Sequence, residues 1–214
     1  MILHANRSIG SAESLADEIH DQGGTAHVVQ ADLSKSDGAT RLAELTQAHT
    51  SVLDTLVNNA AIYERVPFEQ IDQSQFMKML QVNLMSPFFL TQKLMPLFEQ
   101  AEDPSVVNII DTSVHRPEHE YSHYSTTKAG LLSMTKSLAA ELGTRLRVNG
   151  VAPGAIAFPE RFSQTEQEKV LARVPMGRVG APEDIAKAAV FLAKEGSYIS
   201  GEMIHVDGGW NANG

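Results

Sequence analysis

The stretch Ser105–Ile110, with the sequence SVVNII, and the Asp111 that follows it decide the fold of this 214-residue chain. A continuous apolar run is typical of a parallel strand that is covered on both faces of its sheet. Helix-like and strand-like segments alternate on both sides of this run, which predicts an α/β fold with a parallel sheet. The length suits one ordinary domain, and we predict a single domain over residues 1–214.

The hydrophobic pattern divides the rest of the chain into short strands and longer helices. It predicts strands at Ile2–Ala5, Thr25–Ala31, Leu53–Asn58, Ser105–Ile110, Arg145–Val151 and Met203–Val206. It predicts helices at Ala12–Gln22, Ala39–His49, Asp72–Gln100, Tyr124–Leu142, Glu166–Arg173 and Pro182–Ala193. Ser11 is the expected N-cap of the first helix. Pro87 and Pro96 predict a kink or a break in the third.

The composition excludes several classes of protein. A hydrophobic share of 43% and a charged share of 20% are typical of a globular chain. The chain has no cysteine, which excludes disulfides and thiolate chemistry. A net charge of −9 without a basic stripe argues against a nucleic-acid partner. No apolar run reaches the roughly 18 residues of a membrane span, and the first residues lack the features of a signal peptide. We therefore expect a cytoplasmic protein with no membrane partner.

The pair Tyr124 and Lys128 carries the first indication of chemistry. Residues four apart in a helix share one face. An ammonium beside a phenol favours the phenolate, so such a pair can move a proton near neutral pH. The pair predicts an acid/base site for carbonyl or imine chemistry with a nicotinamide cofactor. Because YxxxK pairs are common on helix surfaces, this interpretation depends on the residues around it.

Polar and small residues follow several predicted strands. Ligands of open α/β sheets bind at the carboxyl ends of the strands. Asp111 ends one strand and precedes Tyr124 by 13 residues. Asn83 lies inside the long helical pattern, where an amide is an indifferent helix former. Two further strand ends carry Asn58-Asn59-Ala60-Ala61 and Asn149–Gly154.

This ordered set of motifs resembles the short-chain dehydrogenase/reductase family over nearly the whole chain. The resemblance implies a Rossmann-like doubly wound parallel sheet. It implies that Tyr124 is the general acid, that Lys128 holds the nicotinamide ribose and lowers the pKa of Tyr124, and that Asn83 positions a water that relays protons. The alternative for Asn83 is that it accommodates a helix bend near Pro87. The resemblance also implies cofactor contacts from Asn59, Ala60, Ala61, Tyr124, Lys128, Pro153 and Gly154.

Asp111 departs from the usual pattern of that family, which has serine at this position. An ionised Asp only accepts hydrogen bonds, whereas a Ser hydroxyl can donate one to a carbonyl. Asp here is similar to the pteridine reductase branch, and Tyr63 aligns with an aromatic residue that stacks on the pterin there. The implied function is reduction of a dihydrobiopterin- or dihydrofolate-type substrate bound by Tyr63, Asp111 and Tyr124. The alternatives are reduction of a ketone or 3-oxoacyl thioester, a Tyr63 that is only a surface or core aromatic, and an Asp111 that marks lost catalytic power.

The residues after the first predicted strand indicate the choice of cofactor. An acidic residue there would bind the ribose 2′-hydroxyl of NAD, whereas an Arg accepts a 2′-phosphate. The match to the family favours NADPH, with contacts from Asn6, Arg7, Ser8 and, at the adenine ring, Asp32. A surface Arg7 and an N-cap role for Asp32 or Ser34 are the alternatives.

Relative to that family, the chain starts at the second strand and lacks the first strand, the Gly-rich turn and the first helix. One such unit comprises about 25 to 35 residues. The missing strand would lie between the first strand of this chain and Leu53–Asn58, so we expect a sheet in two parts with exposed inner edges. A truncated family member that acts as a non-catalytic partner subunit is a further alternative.

The remaining expectations concern metals, the lid and assembly. Pro117 interrupts the helical spacing of His115, His119 and His123, so we expect these side chains in a loop that faces the substrate or the solvent, and no metal site. The segment 158–173 corresponds to the substrate lid of the family. The helices Asp72–Gln100 and Tyr124–Leu142 predict a homo-oligomer, a dimer or a tetramer.

Overall fold

Parallel strands and helices alternate along the computed structural model, which describes residues 1–158 and 163–212. The strands are β1 (Ile2–Ala5), β2 (His27–Gln30), β3 (Thr55–Asn58), β4 (Ser105–Ile109), β5 (Arg147–Pro153) and β6 (Met203–Val206). The α-helices are α1 (Ile9–Asp21), α2 (Gly38–Gln47), α3 (Gln73–Leu80), α4 (Ser86–Phe98), α5 (Ser122–Leu142), α6 (Gln164–Leu171) and α7 (Pro182–Val190). The predicted α/β class with a parallel sheet is confirmed.

The strands form two separate groups. β1 pairs with β2, and β3, β4, β5 and β6 pair in that order, with every pair parallel. The expected division of the sheet is therefore confirmed. Among the described residues β3 pairs only with β4, and Val57 on β3 is 46% exposed. An unpaired strand edge of this kind offers free backbone hydrogen-bonding groups.

The two faces of β4 pack against different layers. Val106 belongs to a core cluster with residues of α2 and α4, whereas Val107 packs with Leu192 from the turn after α7. Successive side chains of a strand point to opposite faces, so the apolar run is covered on both sides, as the sequence predicts. Val29 of β2 belongs to the same cluster as Val106, so both strand groups share one core.

The long helical pattern between 72 and 100 is helical from Gln73 to Phe98 without a break. A π-helical turn, Gln81–Met85, joins α3 to α4, and the N–H of Ser86 donates to the carbonyl of Gln81 five residues earlier. The irregularity thus lies before Pro87, not at it. Pro87 is in the first turn of α4, where its missing N–H is tolerated. Pro96 lies within α4, so of the predicted kink or break the helix has no break at that position.

Several predicted boundaries shift by a few residues. α1 begins at Ile9, so Ser8 is its N-cap and the prediction of Ser11 is wrong. α5 begins at Ser122, two residues before Tyr124. β5 runs from Arg147 to Pro153 because Arg145 still belongs to the turn after α5. None of the described helices is long and apolar enough to cross a membrane.

Candidate active site

A cavity of about 370 Å³ opens at the carboxyl ends of β4, β5 and β6. Its size is that of a small-molecule site. Its walls come from the segment after β3, the loop between β4 and α5, the end of β5 and the turn after β6. The lining includes Tyr63, Asp111, Ser113, Arg116, Glu118, Tyr121, Tyr124, Gly154, Phe158, Val170 and Trp210. Phe158 and Val170 belong to the predicted lid, of which 159–162 lie outside the described residues.

Asp111 and Tyr124 are in direct contact at the wall of this cavity. The Tyr124 hydroxyl donates to Asp111 Oδ2 over 2.8 Å. The N–H of Ser113 donates to Asp111 Oδ1 over 2.7 Å, which starts a 3₁₀ turn and fixes the carboxylate. The spacing of 13 residues therefore places a strand end against the first turn of α5, and both oxygens of Asp111 accept a hydrogen bond.

Lys128 lies one helical turn beyond Tyr124 and is 3% exposed. Its Nζ donates to the carbonyl of Ile109 over 2.7 Å and lies 5.8 Å from the centroid of the Tyr124 ring. Burial lowers the pKa of Lys128 to about 8, and the charge of Asp111 partly offsets this effect. Burial thus disfavours the charged form of Lys128 at this position.

Tyr124 does not have the lowered pKa that the sequence predicts. Burial raises the pKa of Tyr124, and the charge of Asp111 and the hydrogen bond to it raise this pKa further. The expectation that Lys128 lowers this pKa is wrong for this arrangement, because the nearest charged group to the phenol is an anion. Tyr124 is therefore held protonated across the neutral range, in the form that a general acid needs.

The Asn83 side chain is fully used within the protein. It lies in the π-helical turn, where Oδ1 accepts from the N–H of Ile62 over 2.8 Å. Its Nδ2 donates to the carbonyl of Ile62 over 2.9 Å and to Thr127 Oγ1 over 3.2 Å. Asn83 thus ties the segment after β3 to α5, directly beside Tyr63. π-helical turns occur frequently at functional sites.

Tyr63 packs in an aromatic cluster next to Tyr124. Its ring stacks on Tyr121 with centroids 4.4 Å apart and an interplanar angle of 8°. It meets the edge of Tyr124 at 4.7 Å and 77°. Tyr63 is 51% exposed and lines the cavity, so it is not a core residue.

The residues expected to contact the nicotinamide half of a cofactor lie at two strand ends. Asn59, Ala60 and Ala61 are exposed after β3. The preceding Asn58 is buried and donates to Asn108 Oδ1, so its role is structural. Pro153 ends β5, and Gly154 lines the cavity at a point where a Cβ would lie 2.7 Å from Asp207.

The residues expected to contact the adenosine half lie at the ends of β1 and β2. Asn6, Arg7 and Ser8 are exposed, and the Ser8 hydroxyl makes no capping hydrogen bond. No carboxylate of the described residues lies within ion-pair distance of Arg7. Hydroxyl, amide and guanidinium donors side by side suit a phosphate-bearing cofactor.

Asp32 holds the turn after β2. Its Oδ1 accepts from the N–H and the hydroxyl of Ser34 at 2.9 and 2.7 Å, and from Asn6 at 3.3 Å. The two bonds from Ser34, foremost the one from its hydroxyl, lower the pKa of Asp32. The N-cap of α2 is Asp37, so the alternative of an N-cap at Asp32 or Ser34 is wrong.

Three residues that contribute to the site were not predicted from the sequence motifs. Tyr121 precedes Tyr124 by three residues, a helical spacing that could have indicated it. The N–H of Ser113 and the side chain of Trp210 reach the cavity only through the folded chain. None of the three predicted loop histidines lines the cavity: His115 and His119 are exposed, and His123 is buried in α5. The described residues contain no cluster that could hold a metal.

Comparison with known proteins identifies the family to which the chain is similar. The family model described as enoyl-(acyl carrier protein) reductase matches residues 2–211. A 3β-hydroxysteroid dehydrogenase of Eggerthella lenta is 37% identical over 89% of this chain and 76% of its own length. A 3-oxoacyl-[acyl-carrier-protein] reductase of Aquifex aeolicus is 36% identical over 92% of this chain and 82% of its own.

Solved structures are similar over nearly the whole chain. A Sinorhizobium meliloti protein described as a short-chain alcohol dehydrogenase superposes with a TM-score of 0.91 at 26% identity, covering 99% of this chain and 86% of its own. A Beutenbergia cavernae protein described as an NAD(P)-dependent gluconate 5-dehydrogenase, with bound NADP, gives 0.88 at 34% identity, covering 96% and 84%. The chain therefore belongs to the short-chain dehydrogenase/reductase family of oxidoreductases.

Proposed function

We propose that this protein is an NADPH-dependent reductase of a pteridine-type substrate, of the dihydrobiopterin or dihydrofolate class. The observation that carries the proposal is the 2.8 Å hydrogen bond from Tyr124 to Asp111 in the wall of a cavity that also exposes the Tyr63 ring. This arrangement combines a protonated acid, a carboxylate acceptor and an aromatic surface. A flat heterocycle with N–H groups complements all three.

The proposed chemistry is the reduction of a C=N bond. When bound, NADPH supplies the hydride that the carbon receives. The Tyr124 hydroxyl gives its proton to the nitrogen, a proton from solvent restores the hydroxyl, and Asp111 orients that hydroxyl through their hydrogen bond. Lys128, buried one turn away, places a positive charge near the developing phenolate. The cofactor would be held by Asn6, Arg7, Ser8, Asp32, Asn59, Ala60, Ala61, Tyr124, Lys128, Pro153 and Gly154.

Asp111 favours this substrate class over a ketone. A ketone oxygen accepts hydrogen bonds, gains negative charge as it is reduced, and would face an anion. A pterin instead offers ring N–H and amino donors, which a carboxylate can accept. Charge-assisted hydrogen bonds of this kind are stronger than neutral ones.

Reduction of a ketone or a 3-oxoacyl thioester is the second candidate. It is favoured by the similarity to the 3-oxoacyl-[acyl-carrier-protein] reductase of Aquifex aeolicus, at 36% identity. In this case Tyr124 would protonate the carbonyl oxygen without help from Asp111.

The variant Asp111→Ser separates the two candidates. We expect kcat/KM for dihydrobiopterin to fall by about 10²-fold, because the acceptor for the N–H groups is lost. We expect the rate on a simple ketone to stay level or rise. A Ser variant that reduces pterins better than the unchanged protein would refute the pteridine proposal.

We also propose that the protein is a homo-oligomer. Phe88 and Phe89, adjacent on α4, are 39% and 40% exposed and meet edge to face at 5.4 Å. Two neighbouring exposed rings on one helix suit a subunit contact better than a solvent-facing surface. Sedimentation velocity tests the proposal, and a monodisperse monomer would refute it.

A further inference from the structure

The loop between β4 and α5 carries two glutamates in different surroundings. Glu120 forms an ion pair with Arg65, and its carbonyl accepts from the N–H of Val66 over 2.9 Å. Glu120 also has a φ of 69°, the left-handed region that side chains other than glycine rarely adopt. The loop is thus held in an uncommon conformation by contacts to the segment after β3.

The aromatic stack fixes the same two segments. Tyr63 lies in the segment after β3 and Tyr121 at the end of the loop, and their rings are nearly parallel. Glu118 precedes Glu120 and Tyr121 by two and three residues and lines the cavity. Glu118 therefore borders the cavity on a backbone that is held directly after it.

Glu118 is the less engaged of the two carboxylates in the cavity. Asp111 accepts at both oxygens, from Tyr124 and from Ser113. Glu118 receives one long contact, 3.5 Å from the Tyr63 hydroxyl, which is beyond a good hydrogen bond. Across residues 1–158 and 163–212 no basic side chain lies within ion-pair distance of Glu118. Partial desolvation and the charge of Asp111 raise the pKa of Glu118.

We propose that Glu118 determines substrate specificity by accepting a hydrogen bond from an N–H or amino group on a flat ring that packs against the tyrosines. It selects rings that carry such a donor over rings of equal size that lack one. The inference rests on the proposed function and deepens it, because it names the residue that recognises the part of the substrate away from the reacting bond. A ligand that lacks the donor would cover the Glu118 carboxylate without pairing it, and this unpaired acceptor would weaken its binding.

Direct binding tests this inference without turnover. Trp210 is the single tryptophan of the chain and lines the cavity, so its fluorescence reports occupancy. The two ligands are biopterin, which has N–H donors, and β-tetralone, a bicyclic ketone that has none. The variants are Glu118→Gln and Glu118→Ala, and the matched control is Glu120→Gln in the same loop.

For Glu118→Ala we expect the Kd for biopterin to rise about tenfold or more, because the acceptor is lost. For Glu118→Gln we expect a smaller rise, because the amide oxygen still accepts but carries no charge. The Kd for β-tetralone should stay within about twofold in both variants. Glu120→Gln should affect both ligands equally. If the unchanged protein binds biopterin and both Glu118 variants bind it with the same Kd, the inference is overturned and the proposed function stands. If the unchanged protein binds β-tetralone but not biopterin, the proposed function and the inference both fail.

Discussion

Lys128 donates its hydrogen bond to the backbone carbonyl of Ile109 over 2.7 Å, not to the phenol one turn before it. The ammonium is buried between the end of β4 and the first turns of α5. The carbonyl gives the charge one good acceptor, and within residues 1–158 and 163–212 no carboxylate lies within ion-pair distance of Lys128. Burial of the ammonium is the physical reason that the pKa of Lys128 falls to about 8.

The buried Lys128 makes stability depend on pH. Its pKa falls from 10.5 unfolded to about 8 folded, so the unfolded chain binds more protons between these values. The contribution of Lys128 to the free energy of unfolding should therefore be lowest below pH 8 and rise with pH through this window, by about 3 kcal/mol. We expect Lys128→Met to lack this rise in urea unfolding at neutral and alkaline pH.

The control for that measurement is Lys136→Met, an exposed lysine of the same helix. It should keep the rise of the unchanged protein. A Lys128→Met variant with the same pH dependence as the control would show that Lys128 titrates normally.

Tyr124→Phe tests the general acid. Removing the hydroxyl should lower kcat by about 10²- to 10⁴-fold, because proton delivery to the substrate is lost. The free energy of unfolding should change by only about 1 kcal/mol, the usual net value of one hydrogen bond. Tyr121→Phe is the matched control and should keep most of the activity. Equal activities of the two variants would contradict the assignment.

Asn83→Ala tests the connection between the π-helical turn and the segment after β3. The substitution leaves the N–H and the carbonyl of Ile62 without their partner. We expect a loss of about 2 to 4 kcal/mol in the free energy of unfolding, since each unpaired buried group costs about 1 to 3 kcal/mol. Gln81→Ala, in the same turn with only long contacts of 3.3 and 3.4 Å, should cost far less. Equal losses in the two variants would show that the hydrogen bonds of the Asn83 amide do not contribute more to stability than those of Gln81.

Arg7→Ala tests the choice of cofactor. We expect the unchanged protein to bind NADPH with micromolar affinity, which would exclude the alternative of a non-catalytic partner subunit. The variant should bind NADPH about tenfold or more weakly, with NADH unaffected, because only NADPH carries the 2′-phosphate. Isothermal titration gives both values.

Arg41→Ala is the control for nonspecific charge effects. Arg41 is exposed and pairs only loosely with Glu44 over 3.7 Å on α2. It should bind both cofactors as the unchanged protein does. If Arg7→Ala and Arg41→Ala weakened NADPH equally, Arg7 would not be the residue that recognises the phosphate.

The strands were the most predictable part of the fold. Val106 and Val107 lie in an apolar run that only a doubly covered strand accommodates, and the structure buries both completely. Helix boundaries were less predictable. Ser8 and Ser11 are chemically equal N-cap candidates, and only the path of the chain after β1 decides that Ser8 precedes the first helical residue.

The composition of the site was also predictable, but its electrostatics were not. The spacing of Asp111, Tyr124 and Lys128 follows from local strand and helix geometry, and the structure brings all three together. The pKa of Tyr124 depends on which charge is nearer to the phenol, and spacing along the chain does not measure that distance. The sequence alone therefore predicted a lowered pKa where the folded arrangement raises it.

By itself, the sequence determined the α/β class, the parallel strands and the candidate acid/base residues, because periodicity and short spacings act over a few residues. The tertiary structure decided which groups face one another across the cavity. It stacked Tyr63 on Tyr121, joined the Asn83 amide to the backbone of Ile62, and placed Glu118 at the cavity, 3.5 Å from the Tyr63 hydroxyl. These contacts join segments 21 to 58 positions apart, and packing, which no local pattern records, sets their distances.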